Sequence, residues 1–370
     1  MWTALVTWRS ARLRTALSLV FVVVSAQVAL AFPGSVRWGY ANCSTCHFNV
    51  AGGGILTPYG RQLSRELLST WGGEREAEFA YGAAPLPSWL ALGGDFEYLA
   101  TDKAYGQAFR LVQADLEAAL THGRLLAVAT VGRSADSTDA MGDGIMSRRH
   151  YLQIAATPLL SFRAGRFLPN YGVWAGDATT ATRKGMLLDR DSYNVEANWI
   201  TERFNASLTG IVAGADGGSD ERGWATSAGV FFAGKQKVWL SYMAKHGPGL
   251  SQNAGGVSGV FGIGRRAYLL TQVDLQRLRL EKPQATVTKE LHSNVCFARE
   301  TWKGLYVLLI DEMTRRNLGS PGHLSHSYGT ALRWFPRPHI ELQVRWRRQD
   351  PEAESPEFLD GFSGFIHFYP

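Results

Sequence analysis

The stretch Val112-Gln113-Ala114-Asp115-Leu116-Glu117-Ala118 places a polar residue at every second position. Successive side chains of a β-strand point to opposite faces, so this alternation predicts a strand with one apolar and one polar face. The same pattern recurs in residues 204–211, 238–242 and 339–346. Segments of this kind, about ten residues long and separated by turns, are typical of transmembrane β-barrels. A soluble β-sandwich would also alternate, and it remains the alternative.

Three further features favour the barrel. The chain has only three cysteines, too few for the disulfide framework of a small secreted domain. It has 12 tryptophans and 13 tyrosines, and several stand at predicted strand ends, where interfacial girdles lie. The girdle candidates are Trp89, Tyr151, Trp199, Trp302 and Trp334. The chain ends on Phe362-x-Gly364-x-Ile366-x-Phe368, which resembles the aromatic terminal strand of bacterial outer-membrane proteins.

Short turns and longer polar loops alternate along residues 88–370. The predicted turns fall near residues 122–123, 157–158, 201–203, 234–235, 264–266, 301–304 and 335–338. The predicted long loops are residues 133–146, 169–184, 214–222, 246–256, 315–325 and 349–356. This order predicts an all-β fold, a transmembrane antiparallel β-barrel of about 16 strands in the bacterial outer membrane, with lipid as its surroundings. Both termini then lie on the short-turn, periplasmic side.

Residues 1–31 read as a secretory signal peptide. Arg9, Arg12 and Arg14 precede an apolar run over residues 16–24, and Ala29-Leu30-Ala31 offers a small-x-small cleavage site. The alternative is an uncleaved anchor helix, for which the run is short, since spanning a bilayer takes about 20 residues. Cleavage would lower the formal charge of +6 by three. No basic cluster with interleaved aromatics is present, so no nucleic-acid partner is expected.

The motif Cys43-x-x-Cys46-His47 is the attachment pattern of a c-type haem. Two thiols form thioethers to one porphyrin, and the adjacent imidazole reaches the iron from one face. A zinc or iron–sulfur site would need more cysteines, and the third, Cys296, lies far along the chain. A redox dithiol remains the alternative. The sequence therefore predicts one covalent haem c with His47 as the proximal ligand.

Residues 32–72 are predicted to form a small helical haem module, joined by a linker of residues 73–87 to the barrel. Thr57 suits a helix N-cap and Pro58 the first helical position. A fold this small needs covalent haem, or docking onto the barrel, for stability. The module itself contains no methionine to serve as a sixth iron ligand. Met141 and Met146 are the candidates if that ligand is methionine, in which case the haem would sit inside the barrel toward the outer surface.

The order Cys43-x-x-Cys46-His47, then Leu56-Thr57-Pro58-Tyr59-Gly60-Arg61-Gln62-Leu63, then a barrel resembles the fused monohaem cytochrome–porin family of the outer membrane. Members of that family are known as iron-oxidising conduits. The resemblance implies that Cys43 and Cys46 hold the haem, and that electrons pass between extracellular Fe(II), or another redox substrate, and a periplasmic cytochrome or other carrier. It thus implies an iron:cytochrome c oxidoreductase activity. The glycine-rich stretch 49–54 departs from the family pattern.

Other functions remain open at this point. Residues 163–172 resemble the strand-and-loop motif of phosphate-selective-type porins. The chain would then be an anion-selective diffusion porin, with the haem module as a plug or sensor and Arg148, Arg163 and Arg166 facing the lumen. An outward conduit to extracellular acceptors and a sheath around a separate multihaem cytochrome are further alternatives.

Overall fold

The computed structural model describes residues 35–40, 42–102, 108–134, 145–172, 186, 191–214, 220–280, 286–319, 324–350 and 359–370. Sixteen antiparallel strands form one closed barrel, in which each strand pairs with its neighbours in the chain and β1 pairs with β16. The strands are β1 (Leu90–Thr101), β2 (Ala108–His122), β3 (Leu125–Ser134), β4 (Met146–Ala155), β5 (Leu160–Phe167), β6 (Ser192–Ile200), β7 (Phe204–Ala213), β8 (Arg222–Phe232), β9 (Gln236–Gly247), β10 (Leu250–Ile263), β11 (Ala267–Leu280), β12 (Thr286–Trp302), β13 (Leu305–Arg315), β14 (Leu324–Trp334), β15 (Ile340–Asp350) and β16 (Leu359–Phe368). The predicted fold class is confirmed.

The alternation that predicted the strands separates the two faces of the barrel. Leu116, Leu152 and Leu240 point outward and are 67, 68 and 62% exposed. Their inward neighbours Asp115 and Glu117 are buried. Closure pairs the edges that an open sheet would expose, and the outer face is apolar, as a hydrocarbon surrounding requires. The chain is therefore a membrane-spanning barrel of the outer-membrane type, and the β-sandwich alternative is wrong.

One predicted loop is absent. Residues 246–256 were expected to form a long loop, but β9 continues to Gly247 and β10 starts at Leu250, so only a tight turn separates them. Gly255 and Gly256 have low strand propensity. They nevertheless pair in continuous register with both β9 and β11, because two neighbouring ladders hold the backbone from either side.

The aromatic girdle is confirmed in part. Trp89, Trp199 and Trp302 are exposed at the short-turn rim, where an interfacial belt belongs. Tyr151 is only 5% exposed and faces the lumen, where its ring packs edge-on against Phe167. Its place in the girdle was a wrong prediction, since its parity along β4 puts it on the inner face.

The helical elements lie before the barrel. A 3-10 turn covers Cys43–Thr45, and the α-helix α1 (Pro58–Leu63) continues as a π turn over Ser64–Leu68. Two more 3-10 turns span Glu74–Ala77 and Phe79–Gly82. The backbone N–H of Gly60 donates to Thr57 Oγ1 at 3.0 Å, which confirms the predicted N-cap. None of the helices described combines the length and the apolar character needed to cross a bilayer.

Candidate functional site: a cysteine–histidine motif inside the barrel

The residues that carry the motif lie within the barrel. We call residues 35–72 the lumen segment. Val36 and Leu68 pack into an apolar cluster on the inner wall of β9–β14. Ile55 packs into a second cluster on the inner wall of β2–β5. Because these walls face each other in a sixteen-strand barrel, the lumen segment crosses the interior from one side to the other.

Buried polar contacts fix its first residues to the wall. The Arg37 guanidinium donates to Glu300 Oε2 at 2.6 Å and to the Tyr306 hydroxyl at 2.5 Å. The same group lies 3.9 Å from the centroid of the Trp38 ring. A hydrogen-bonded ion pair in a dry site loses much if one partner is removed, so Arg37 holds this end of the segment firmly.

Two more anchors tie the middle of the lumen segment to the opposite wall. Arg163 Nη1 on β5 donates to the Asn49 side-chain oxygen at 2.7 Å. Arg61 Nη2 on α1 donates to the carbonyls of Leu92 at 2.6 Å and Pro370 at 2.9 Å. The lumen segment therefore contacts β1, β5 and the last residue of the chain.

The chain after the lumen segment stays against the short-turn rim. The backbone N–H of Thr70 donates to the Phe335 carbonyl at 2.8 Å, next to the turn between β14 and β15. Arg337 in that turn pairs with Glu76 at 3.0 Å, and the Tyr81 hydroxyl donates to the Pro338 carbonyl at 2.9 Å. The predicted linker thus contains two short helical turns packed on this rim.

The two motif cysteines occupy one helical turn. The N–H groups of Cys46 and His47 donate to the Cys43 carbonyl at 3.1 and 2.9 Å. Side chains three apart in a 3-10 turn lie on the same side, so both thiols face one direction. Both are free thiols. Burial, with a smaller contribution from Cys43, raises the pKa of Cys46 to about 11.

The imidazole of His47 is oriented through its Nδ1 atom, which lies 3.1 Å from the Gly54 carbonyl oxygen. A carbonyl can only accept, so this contact places the proton on Nδ1 and leaves the Nε2 lone pair available. Burial lowers the pKa of His47 and keeps the ring neutral. A backbone carbonyl that holds one ring nitrogen while the other is available is the usual arrangement around a metal-ligating histidine.

The glycine-rich stretch after the motif forms the turn that carries this carbonyl. Gly52, Gly53 and Gly54 have φ values of +90, +73 and +68°, which residues with a Cβ rarely adopt. The Asn49 side chain accepts from the Ala51 N–H at 3.1 Å and donates to the Gly52 carbonyl at 2.8 Å. The glycine-rich stretch is therefore a loop whose conformation places the Gly54 carbonyl against the His47 ring.

Helix α1 packs directly on the motif backbone. A Cβ added at Gly60 would lie 2.2 Å from the Cys46 carbonyl oxygen, so only glycine permits this approach. The Thr57 N–H donates to the same carbonyl at 2.9 Å. Sequence reasoning assigned Thr57 and Pro58 to the helix start but gave no role to Gly60.

The structure describes neither of the methionine side chains that were predicted as a sixth iron ligand. Met141 lies outside the described residues. Met146 begins β4 at its long-loop end, and its side chain is likewise outside the description. The lumen segment contacts residues nearer the short-turn ends of the strands, such as Trp239 and Tyr306. Methionine as a sixth ligand remains a prediction.

The arginines proposed to select anions have anionic or carbonyl partners. Arg148 pairs with Asp115 at 2.7 Å, and Arg163 with Glu196 at 2.7 Å. Arg166 Nη1 donates to the Ser147 carbonyl at 3.1 Å. Arg163 has the same parity along β5 as the inward-facing Phe167, whereas Arg166 has the opposite parity and Arg148 lies where the register of β3 and β4 shifts. Their partners lie on other strands and give no local signal in the sequence.

A second piece of chain also enters the lumen. After β5 the chain crosses toward β9–β11, where the Tyr171 hydroxyl donates to Asp274 at 2.8 Å and Trp239 Nε1 donates to the Gly172 carbonyl at 3.2 Å. Gln252 Nε2 donates to the Met186 carbonyl at 2.6 Å. The interior is thus occupied by the lumen segment and by parts of the connection between β5 and β6.

The closed sixteen-strand barrel has counterparts among solved structures. The fold is that of outer-membrane porins. The loop-deleted OmpT of Vibrio cholerae matches with a TM-score of 0.59 and 14% identity, over 76% of this chain and 99% of that one. The anion-selective porin from Comamonas acidovorans matches with a TM-score of 0.56 and 12% identity, over 76% and 99%. The channel DcaP of Acinetobacter baumannii gives 0.54 and 11%, over 76% and 97%.

The likeness rests on shape alone. No protein-family model matches the sequence, and a search of curated proteins finds no similar sequence. At these identities the similarity to solved porins supports the barrel fold and its location in the outer membrane. The role of the cysteine–histidine motif depends on its own geometry.

Proposed function

We propose that the chain is an outer-membrane electron conduit. Single electrons would pass, through one covalent haem c, between an extracellular donor such as Fe(II) and a periplasmic cytochrome or other carrier. The observation that supports this most is the position of Cys43-x-x-Cys46-His47 inside a closed barrel. A redox group held there is separated from lipid by the wall and lies between the two faces of the membrane.

The donor set fits a haem c. Cys43 and Cys46 offer two free thiols on one side of a helical turn, and His47 offers a neutral imidazole with Nε2 available. The thiols would form the two thioethers and His47 would be the proximal ligand, and the bound group would supply a one-electron couple. The Gly54 carbonyl orients the ring, and the Gly60 contact fixes the turn that carries the thiols.

The rest of the lumen suits a filled barrel better than an open pore. The lumen segment contacts both walls, and Arg37, Arg61 and Arg163 hold it through buried hydrogen bonds. Arg148 and Arg163 are paired with carboxylates across strands and therefore present little net charge to a diffusing anion.

The experiment uses the three cysteines of the chain. The full chain is expressed with haem c maturation, its mass and haem absorbance are measured, and Fe(II) is added outside intact cells. One haem per chain and prompt reduction are expected. The Cys43→Ala/Cys46→Ala variant should carry no covalent haem, while the matched Cys296→Ala variant should be indistinguishable from wild type.

Two results would change the proposal. A wild-type chain without covalent haem would contradict it. A haem that external Fe(II) leaves oxidised, but a periplasmic donor reduces, would reverse the direction and indicate an outward conduit to extracellular acceptors.

The second candidate is a diffusion porin in which the lumen segment serves as plug or sensor. The structural similarity to solved channels, among them an anion-selective porin, favours it. Conductance in a planar bilayer separates the two, since a porin would give steady, anion-selective openings and a filled conduit would not.

A further inference from the structure

Where the first and last strands meet, the inner wall carries a group of metal-ligating side chains. Asp95 and Glu97 are two residues apart on β1 and share the inward face. Glu97 pairs in register with His367 of β16, and His367 pairs in register with Glu341 of β15. Ligand atoms of Asp95, Glu97 and His367 all lie within 4.8 Å of one another. Across the described part of the chain, this is the one such group.

We propose that Asp95, Glu97 and His367 bind a divalent transition-metal cation on the lumen wall. Two carboxylates and one imidazole supply hard oxygen ligands and one borderline nitrogen, a set that suits Mn(II) and Fe(II). Three protein ligands leave coordination positions open, so the ion would exchange, unlike an ion in a closed structural site.

The contacts within the group agree with a cation at its centre. His367 Nε2 lies 3.0 Å from Asp95 Oδ1, and His367 Nδ1 lies 3.6 Å from Glu341 Oε2. The imidazole therefore stands between carboxylates, and a metal ion would take over the bridging role between Asp95 and the ring.

The positive side chains nearby have carboxylate partners of their own. Arg148 pairs with Asp115, the register partner of Asp95, at 2.7 Å. Arg149 pairs with Asp191 at 3.4 Å, and Arg333 pairs with Glu341 at 2.8 Å. These ion pairs therefore engage carboxylates outside the proposed ligand set.

The site lies beside the haem motif. A Cβ at Gly54, whose carbonyl orients His47, would be 3.3 Å from Glu117 Oε1. Glu117 is the register partner of Gly93, and Gly93 stands two residues before Asp95 on the same face of β1. A role in presenting Fe(II) to the motif rests on the proposed function, whereas the binding itself does not.

The test counts free Mn(II) by its six-line EPR signal as the ion is added to the purified full chain in detergent, after a chelator has removed exchangeable metal ions. Wild type should bind one Mn(II) per chain, and anaerobic Fe(II) should displace it and restore the signal. Asp95→Asn and His367→Gln, both close in shape, should each weaken binding at least about tenfold, because each removes a direct ligand. Folding of each variant is checked by electrophoresis, since a folded barrel migrates differently before and after heating.

The matched control is His326→Gln. His326 also pairs with one carboxylate, Asp311, at 2.7 Å, but among the described residues it belongs to no group of three ligating side chains, so this variant should bind Mn(II) like wild type. Wild type that leaves the Mn(II) signal unchanged, or two folded site variants that bind as tightly as wild type, would overturn the proposal. The Cys43→Ala/Cys46→Ala chain should still bind Mn(II), so failure of haem attachment and failure of this site are distinguishable.

Discussion

Gly60 sets how closely helix α1 approaches the cysteine–histidine motif. Gly60→Ala would place a Cβ against the Cys46 carbonyl, and a forced backbone shift of this kind typically costs about 1–3 kcal/mol. We expect the lumen segment to loosen, so that trypsin cleaves at Arg61, which is buried in the native chain, faster than in wild type. Gly364→Ala is the control, since its Cβ meets only ordinary contact with Ala100 at 3.8 Å. Equal resistance of both variants would contradict this role.

His339 predicts a pH dependence. It lies in the turn between β14 and β15, between the rings of Tyr81 and Tyr369, and burial together with Arg61 lowers its pKa to about 3. The folded state binds fewer protons than the unfolded chain. Burial of neutral His339 therefore contributes in full to the free energy of unfolding above about pH 6.5. This contribution is lost as the pH falls toward 3, by up to about 1.4 kcal/mol per pH unit.

His339→Phe keeps the ring contacts and removes the titration. The midpoint temperature of unfolding is measured by electrophoresis, in which folded and unfolded barrels migrate differently. Between about pH 6.5 and 4.5 this midpoint should fall less in the variant than in wild type. The same pH slope in both proteins would exclude His339 as the cause.

For single residues, the sequence predicts a haem-attachment motif but not the side chains and carbonyls that surround it. Cys43, Cys46 and His47 follow from spacing, and Thr57 from the preference of helix N-caps. The Gly54 acceptor and the Arg163–Asn49 bond were not predictable, because they depend on a loop conformation and on a strand 114 residues away.

At the scale of elements, β5 serves both the barrel and the lumen segment through Arg163. Asn49→Ala removes the hydrogen bond from Arg163, worth about 1.5–3 kcal/mol, together with the side-chain bonds to Ala51 and Gly52 within the loop. It should increase cleavage of the lumen segment without changing the barrel's thermal midpoint. Arg163→Met also leaves the buried Glu196 without its cation, a loss of about 3–5 kcal/mol, and should lower that midpoint. Equal midpoints in the two variants would contradict this division of roles.

Most strands could be predicted from the sequence. Apolar and polar residues alternate with a period of two wherever one face of a strand contacts lipid and the other faces a polar lumen. This prediction failed at the hairpin of β9 and β10, where glycines hide the alternation and pairing on both sides makes up for missing side chains. Tyr151 was assigned to the girdle by its residue type alone, which does not say which face of the strand is outward, and it lies on the inner face.

For the whole molecule, the lumen segment occupies part of the barrel interior and contacts both of its walls. Its placement depends on contacts such as Arg37 with Glu300 and Arg61 with Pro370, 263 and 309 residues apart, which no local pattern reveals. We expect the full chain in a planar bilayer to show no steady anion-selective openings. A large and constant conductance would favour the diffusion porin.

The most direct test follows electrons across a membrane. Proteoliposomes that contain the full chain and enclose ferricytochrome c receive Fe(II) outside, and reduction of the enclosed cytochrome is followed by absorbance. The account predicts reduction with the wild-type chain and with Cys296→Ala, and none with the Cys43→Ala/Cys46→Ala barrel. Equal reduction through the barrel that lacks both motif cysteines would mean that iron ions diffuse through the lumen, and would contradict the conduit.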